Sequence, residues 1–185
     1  MPRIAILGGG LCGRLTALQL AEQGLSVALF DKGGRKGEHA AAYVAAAMLT
    51  PATEAVDGTP EVVRMGWQGI PLWRNIIGRL KTPVMMQENG SLIVWHGQDK
   101  PLSDEFVRLL KRGGVSAHET VRWGAGEITA NEPQLAGRFS DGIYLPAEGQ
   151  LDGRQALTAL ADTLEELNVP CHWEHECAPE DLQAQ

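Results

Sequence analysis

Positive charge is scarce in this sequence. Sixteen Lys and Arg stand against 23 Asp and Glu, which leaves the 185-residue chain at −7. Nucleic-acid binders usually carry a basic face, so that class is excluded. Cysteine is scarce too: Cys12, Cys171 and Cys177 are odd in number and follow no framework spacing. That excludes a disulfide scaffold and points to a reducing, cytoplasmic setting. No stretch of about 18 uncharged apolar residues is present, so no membrane span is expected. The apolar run from Ile4 to Leu20 imitates a signal peptide, but glycines and Arg14 interrupt it and no cleavage site follows. Aromatic residues make up only 5%, yet the apolar fraction reaches 44%, which argues against disorder. At about 150 residues per domain, the length suits one domain, or one and a fraction.

The first 31 residues read as strand, helix, strand, the length of a βαβ unit. Arg3 to Leu7 is a short apolar run ended by glycines, the pattern of a buried parallel strand. Leu11, Leu15 and Leu18 then recur at helical spacing, and Gly24 stands where a helix would end. Leu25, Val27 and Leu29 alternate up to Asp31. Further on, Thr59-Pro60-Glu61 starts a helix that Pro71 is expected to kink or split. Val84–Met86 and Ser91–Trp95 suggest a hairpin around Glu88-Asn89-Gly90. Ser103-Asp104-Glu105 suggests a helix start, and Gly142–Leu145 another strand. Asp152 caps an amphipathic helix, and Cys171–Cys177 reads as a last strand.

This order predicts an α/β chain: a Rossmann-like βαβ layer interrupted by part of an inserted α+β domain. The expected blocks are 1–58, 59–150 and 151–185. Only three parallel strands can be counted, where open parallel sheets usually have more. The chain is therefore expected to be truncated, with an unpaired strand edge that favours aggregation or a homo-oligomer.

Gly8-x-Gly10-x-x-Gly13 follows the first strand and opens the first helix. Gly8 permits the tight turn, Gly10 lets a pyrophosphate approach the backbone, and Gly13 allows close packing of helix on strand. The helix amides and dipole then favour phosphate. Asp31, 18 residues past Gly13, is placed to accept ribose hydroxyls. The bland alternative is a packing turn that binds nothing. An acid here disfavours NADP, but FAD and NAD stay open. Ala40–Met48 has few side chains that would block a flat ring, though the same composition suits a buried helix start. The cluster Cys171-His172-Trp173-Glu174-His175-Glu176-Cys177 contains zinc-ligand types. On a strand, however, Cys171 and His175 would lie about 13 Å apart, too far for one metal. His39, His96 and His118 are isolated and read as ordinary surface residues.

These motifs resemble the glycine oxidase and D-amino-acid oxidase family of FAD-dependent oxidoreductases, closest to the type of thiamine biosynthesis. The resemblance rests on Ile6–Gly13 with Ala17, Gly24, Val27 and Asp31, and on Ala45-Ala46-Ala47-Met48-Leu49-Thr50-Pro51. It continues through Gly90-Ser91-Leu92, Glu132-Pro133-x-Leu135 and Tyr144–Asp152. The resemblance implies FAD as cofactor and a small amino acid as substrate. Its expected cofactor-binding residues are Gly8, Gly10, Leu11, Gly13, Asp31 and Lys32, then Ala46, Ala47 and Met48 along the flavin, and Ala178 at the adenine. The family usually has glycine where this chain has Ala47. Members are about twice this length, and their second half supplies the substrate-binding arginine and tyrosine. No catalytic residue can therefore be assigned here. The chain alone is expected to be inactive in amine oxidation. The alternatives are an inactive dinucleotide-binding fragment or an NAD-dependent enzyme of unrelated chemistry.

Overall fold

The computed structural model describes residues 4–116 and 119–184. Arg3 and His118, both named above, lie outside them. In chain order the elements are β1 (Ile4–Leu7), α1 (Leu11–Glu22), β2 (Val27–Phe30), α2 (Ala41–Val44), β3 (Met48–Leu49), α3 (Pro51–Glu54) and α4 (Pro60–Ile77). Then follow β4 (Met86–Gln87), β5 (Ser91–Val94), α5 (Lys100–Arg112), β6 (Val121–Gly124) and α6 (Ala125–Asn131). The chain continues with β7 (Asp141–Leu145), β8 (Gly149–Leu151), α7 (Gly153–Glu166) and β9 (Cys171–His172).

Contacts divide the chain into two units. Residues 1–47, 73–86 and 151–185 form the first, and residues 48–72 and 87–150 the second. In the first unit β1, β2 and β9 make a parallel sheet with β2 in the middle. Ala17 and Leu18 of α1 and Leu160 and Leu164 of α7 bury themselves with Val27, Leu29 and Val169. The apolar stripe of α1 lands where its spacing predicts, because its i, i+3, i+4 positions share one face. Asp152 caps α7: its Oδ1 accepts from the amides of Arg154 and Gln155, both at 2.9 Å. The segment 73–86, which falls in the 59–150 block of the sequence reading, packs within this unit.

The second unit has its own core of Ala52, Ala55, Leu110, Val115, Ile143 and Leu145. Its antiparallel sheet places β7 between β5 and β6, with Ile143 opposite both Ile93 and Arg122. A third sheet runs β3, β8, β4, with Met48 opposite Gln150 and Leu49 opposite Gly149.

Several local expectations are corrected. The sequence hairpin does not form: β4 and β5 join different sheets. Gly90 turns the chain between them, its amide donating to the Glu148 carbonyl at 2.9 Å. The helix α4 is continuous through Pro71, and the boundary between units falls just after it, between Leu72 and Trp73. Proline there removes one helical hydrogen bond without ending the helix. Ser103 does not cap α5; it lies inside the helix, buried, with its hydroxyl donating to Lys100 O at 2.8 Å. The strand β1 is only half buried, with Leu7 40% exposed, because it is an edge strand among the described residues. The last strand ends at His172, so the alternation argument for Cys171–Cys177 does not apply. Among the described residues, no group of three or more His, Cys, Asp or Glu gathers as a metal site. No described helix is long and apolar enough to cross a membrane.

Candidate functional site

The glycine loop lies at the carboxyl end of β1, within the first unit. Gly8 turns the chain at φ +107°, a conformation that glycine adopts readily, and its amide donates to Phe30 O at 2.8 Å. A Cβ at Gly13 would overlap the Gly8 carbonyl oxygen. That is the close helix–strand approach that the fingerprint requires. A Cβ at Gly10 would meet nothing nearer than the Ala40 methyl, at 3.8 Å, so the space over this residue is open. The first intrahelical bond of α1 runs from Arg14 N to Gly10 O at 3.1 Å. The amides of Leu11, Cys12 and Gly13 precede it and have no helical acceptor.

Asp31 follows β2 and faces this loop. One carboxylate oxygen accepts from the Gly9 amide and the other from the Gly33 amide, the latter at 2.6 Å. Each oxygen keeps a further acceptor site. A cavity of about 110 Å³ brings together Gly9, Gly10, Asp31, Lys32, Gly33, Gly37, His39 and Ala40. Thus Gly10, Asp31 and Lys32, named from the sequence, line one space. His39, read as an ordinary surface residue, lines it too.

The alanine-rich segment is not a buried helix start. Only Ala41–Val44 is helical, none of it is buried, and Ala45, Ala46 and Met48 are exposed. Ala47 has φ +52°, in the left-handed region. A methyl costs about 1 kcal/mol there, because Cβ crowds the carbonyl. Gly153 of α7 lies beside it: a Cβ at Gly153 would touch Ala47 Cβ at an ordinary 3.5 Å but would crowd Ala42 O at 2.6 Å. The Ala47 amide plane is fixed by Leu151 N donating to Ala47 O at 3.1 Å. Ala47→Gly is therefore expected to stabilise the chain by about 0.5–1 kcal/mol, read as a rise in urea midpoint at unchanged slope. Equal or lower stability would show that the left-handed turn carries no strain.

Ala178 is exposed and lies beyond the two-residue β9, not in a strand as expected. Its amide donates to an Asp181 carboxylate oxygen at 2.8 Å. The chain leaves the sheet early because Glu174 adopts φ +54° and its amide turns back to Gly33 O at 2.9 Å.

Sequence reasoning missed the most buried charge in this unit. Arg14 is 0% exposed. Its Nε donates to Gly9 O at 2.5 Å, Nη1 to Leu157 O at 2.5 Å and Nη2 to Arg35 O at 2.8 Å. Its Cζ lies 4.6 Å from the centre of the Trp173 ring. Burial lowers its pKa to about 10, against the pull of Asp31 in the opposite direction. The signal was present: Arg14 stands three and four residues before Ala17 and Leu18, so it shares their buried face. Arg35, whose carbonyl it reaches, is itself pinned to α7 by ion pairs to Asp162 at 2.5 Å and Glu165 at 2.7 Å.

In the second unit Glu148 is also 0% exposed. Its Oε1 accepts from Thr53 N at 2.8 Å, and its Oε2 from Thr53 Oγ1 at 3.0 Å and from Ser91 Oγ. It thereby fastens the start of α3, which directly follows Met48–Leu49.

A parallel βαβ unit, a glycine loop at a helix start and an acid after the second strand define a dinucleotide-binding α/β protein. Comparison with known proteins narrows that class. Residues 3–179 match the DAO family, FAD dependent oxidoreductase, and the chain belongs to that family. Its cofactor is FAD. A thiamine biosynthesis oxidoreductase, ThiO, of Rhizobium etli is 33% identical over 167 residues, covering 90% of this chain and 47% of that protein. A glycine oxidase of Geobacillus kaustophilus is 29% identical over 164 residues, covering 85% and 42%. The crystal structure of glycine oxidase from Geobacillus kaustophilus superposes with a TM-score of 0.78 at 24% identity, over 94% of this chain and 46% of that one. The chain thus spans about half the length of the relatives it matches.

Proposed function

We propose that the first unit binds the ADP half of FAD, and that the enzyme built on it oxidises glycine or a small D-amino acid. The product would be the imino acid, hydrolysed to the 2-oxo acid, with oxygen as final acceptor. The observation that carries the reading is the cavity that Gly10, Asp31 and Lys32 line together over an open helix start. The amides of Leu11, Cys12 and Gly13 and the α1 dipole suit a diphosphate. The free acceptor sites of Asp31 suit ribose hydroxyls, and Lys32 adds charge at the cavity's edge. Beyond that, we assign the flavin ring to the segment of exposed Ala46, half-buried Ala47 and exposed Met48, and a main-chain adenine contact to Ala178. Residues 48–72 and 87–150 would begin the substrate domain. When bound, FAD supplies the redox step by accepting a hydride from the substrate's α-carbon. This chain's residues hold and orient it. The oxidase relatives support the choice of amino acid, since the names they carry are glycine oxidase and a thiamine-biosynthesis oxidoreductase.

The test is to load the chain with FAD and add glycine or D-alanine without oxygen. We expect FAD to bind and neither amino acid to bleach it, because no described residue is assigned to the substrate carboxylate. Bleaching, or peroxide release in air, would place a complete substrate site within these residues. Binding of NAD in preference to FAD would contradict the proposal.

A further inference from the structure

We propose that Arg14 is the electrostatic anchor of the dinucleotide's diphosphate, a buried cation held behind the glycine loop to raise affinity for the two phosphates. The inference rests on the reading that the glycine loop receives the ADP half of FAD.

The first support is geometric. Arg14 is fully buried in the first turn of α1, and its side chain turns back to the carbonyl of Gly9, the residue before Gly10. A guanidinium there is fixed from three sides. Gly9 O belongs to the phosphate loop, Arg35 O to the loop after β2, and Leu157 O to α7. Trp173 closes the fourth side and packs against the loop as well: a Cβ at Gly9 would lie 2.6 Å from Trp173 Cζ3. The guanidinium is thus packed between the glycine loop, the loop after β2, α7 and the Trp173 ring.

The second support is the charge balance. All three hydrogen bonds go to neutral main-chain carbonyls, so they satisfy the donors without cancelling the charge. Asp31 is the acid whose charge acts on it most, Glu38 adds to that pull and Arg35 opposes it, but among the described residues no carboxylate bonds the guanidinium directly. A buried cation with no directly bonded anion is costly to fold around. A diphosphate on the other face of Gly9–Gly10 would supply the missing negative charge in a site where solvent screens little. If the only purpose were to tie three segments together, a neutral donor would avoid that cost.

The test measures the affinity of the folded chain for FAD, ADP and adenosine, the last two by competition with FAD. Three variants are compared: Arg14→Met, Arg14→Gln and Arg14→Lys. The preference of ADP over adenosine reports what the phosphates add. We expect it to fall about tenfold in Arg14→Met and Arg14→Gln, the scale of one charge interaction of about 1.4 kcal/mol. Arg14→Lys should keep it within about threefold, because the charge stays although the fork geometry is lost. A structural staple predicts otherwise. Lys and Gln would weaken ADP and adenosine in equal proportion, and that result overturns the proposal. Collapse of all three variants even with FAD present also overturns it, in favour of a staple. If the unaltered chain binds neither FAD nor ADP, the underlying cofactor reading fails instead.

Discussion

Gly13→Ala is expected to abolish FAD binding and to cost the fold about 3 kcal/mol. The added methyl would overlap the carbonyl oxygen of Gly8 and lie 3.0 Å from its carbonyl carbon. Both are backbone atoms of the turn that ends β1, so no side-chain rotation relieves the clash. Either α1 lifts off the sheet or the Gly8 turn opens. The first exposes Ala17 and Leu18, and the second misplaces the helix amides that face the phosphates. Thermal unfolding and FAD titration of the variant check both effects together. For a chain of this size, about 3 kcal/mol corresponds to a drop in Tm of about 6–12 °C. Gly10→Ala separates the two effects. Its Cβ clashes with none of the described residues, so stability should stay within about 0.5 kcal/mol while FAD affinity falls. Normal FAD binding by Gly13→Ala would show that the close approach of helix and strand is not needed.

The second large effect is expected in the other unit. Glu148→Ala should destabilise it by about 3 kcal/mol. The substitution strands the Thr53 amide, the Thr53 hydroxyl and the Ser91 hydroxyl, all of which the buried carboxylate receives. Donors left without a partner in a buried site lose more than the bond itself contributed. Glu148→Gln should cost about 1 kcal/mol, because its amide oxygen still accepts and both hydroxyls can rotate to receive its NH₂. Urea unfolding of the two variants measures the difference. Equal, small losses in both would mean that solvent replaces the carboxylate. Glu148 also fixes α3, two residues beyond β3, so the alanine variant is expected to loosen the Met48–Leu49 pairing with Gln150 and Gly149.

Features carried by local periodicity were legible in the sequence. The opening strand, the α1 stripe and its glycine loop, and the Asp152 cap of α7 all stand where their spacing put them. Each is decided within about a dozen residues of chain. The elements that were not legible are decided by distant partners. β3, β4 and β8 are two or three residues long, and their hydrogen bonds reach across about a hundred residues of chain in the case of Met48 and Gln150. No periodicity fits in two residues. Met86–Gln87 and Ser91–Val94 look like the arms of a hairpin because a turn sequence separates them, yet they pair with different strands. The alanine segment reads as buried by composition, but its half-extended backbone leaves it exposed. Arg14 and Glu148 were missed for one reason. A charged residue in a sequence suggests solvent; the spacing of Arg14 to Ala17 and Leu18 hinted at its buried face, but most of the hydrogen bonds that let each residue be buried come from distant chain.

The most direct test of the account is titration of the purified chain with FAD, followed by the visible flavin spectrum and by quenching of flavin fluorescence. The account predicts saturable binding of one FAD per chain, competed by ADP and abolished by Gly13→Ala. A chain that leaves FAD free in solution, or that binds it equally well in the Gly13→Ala variant, would contradict it.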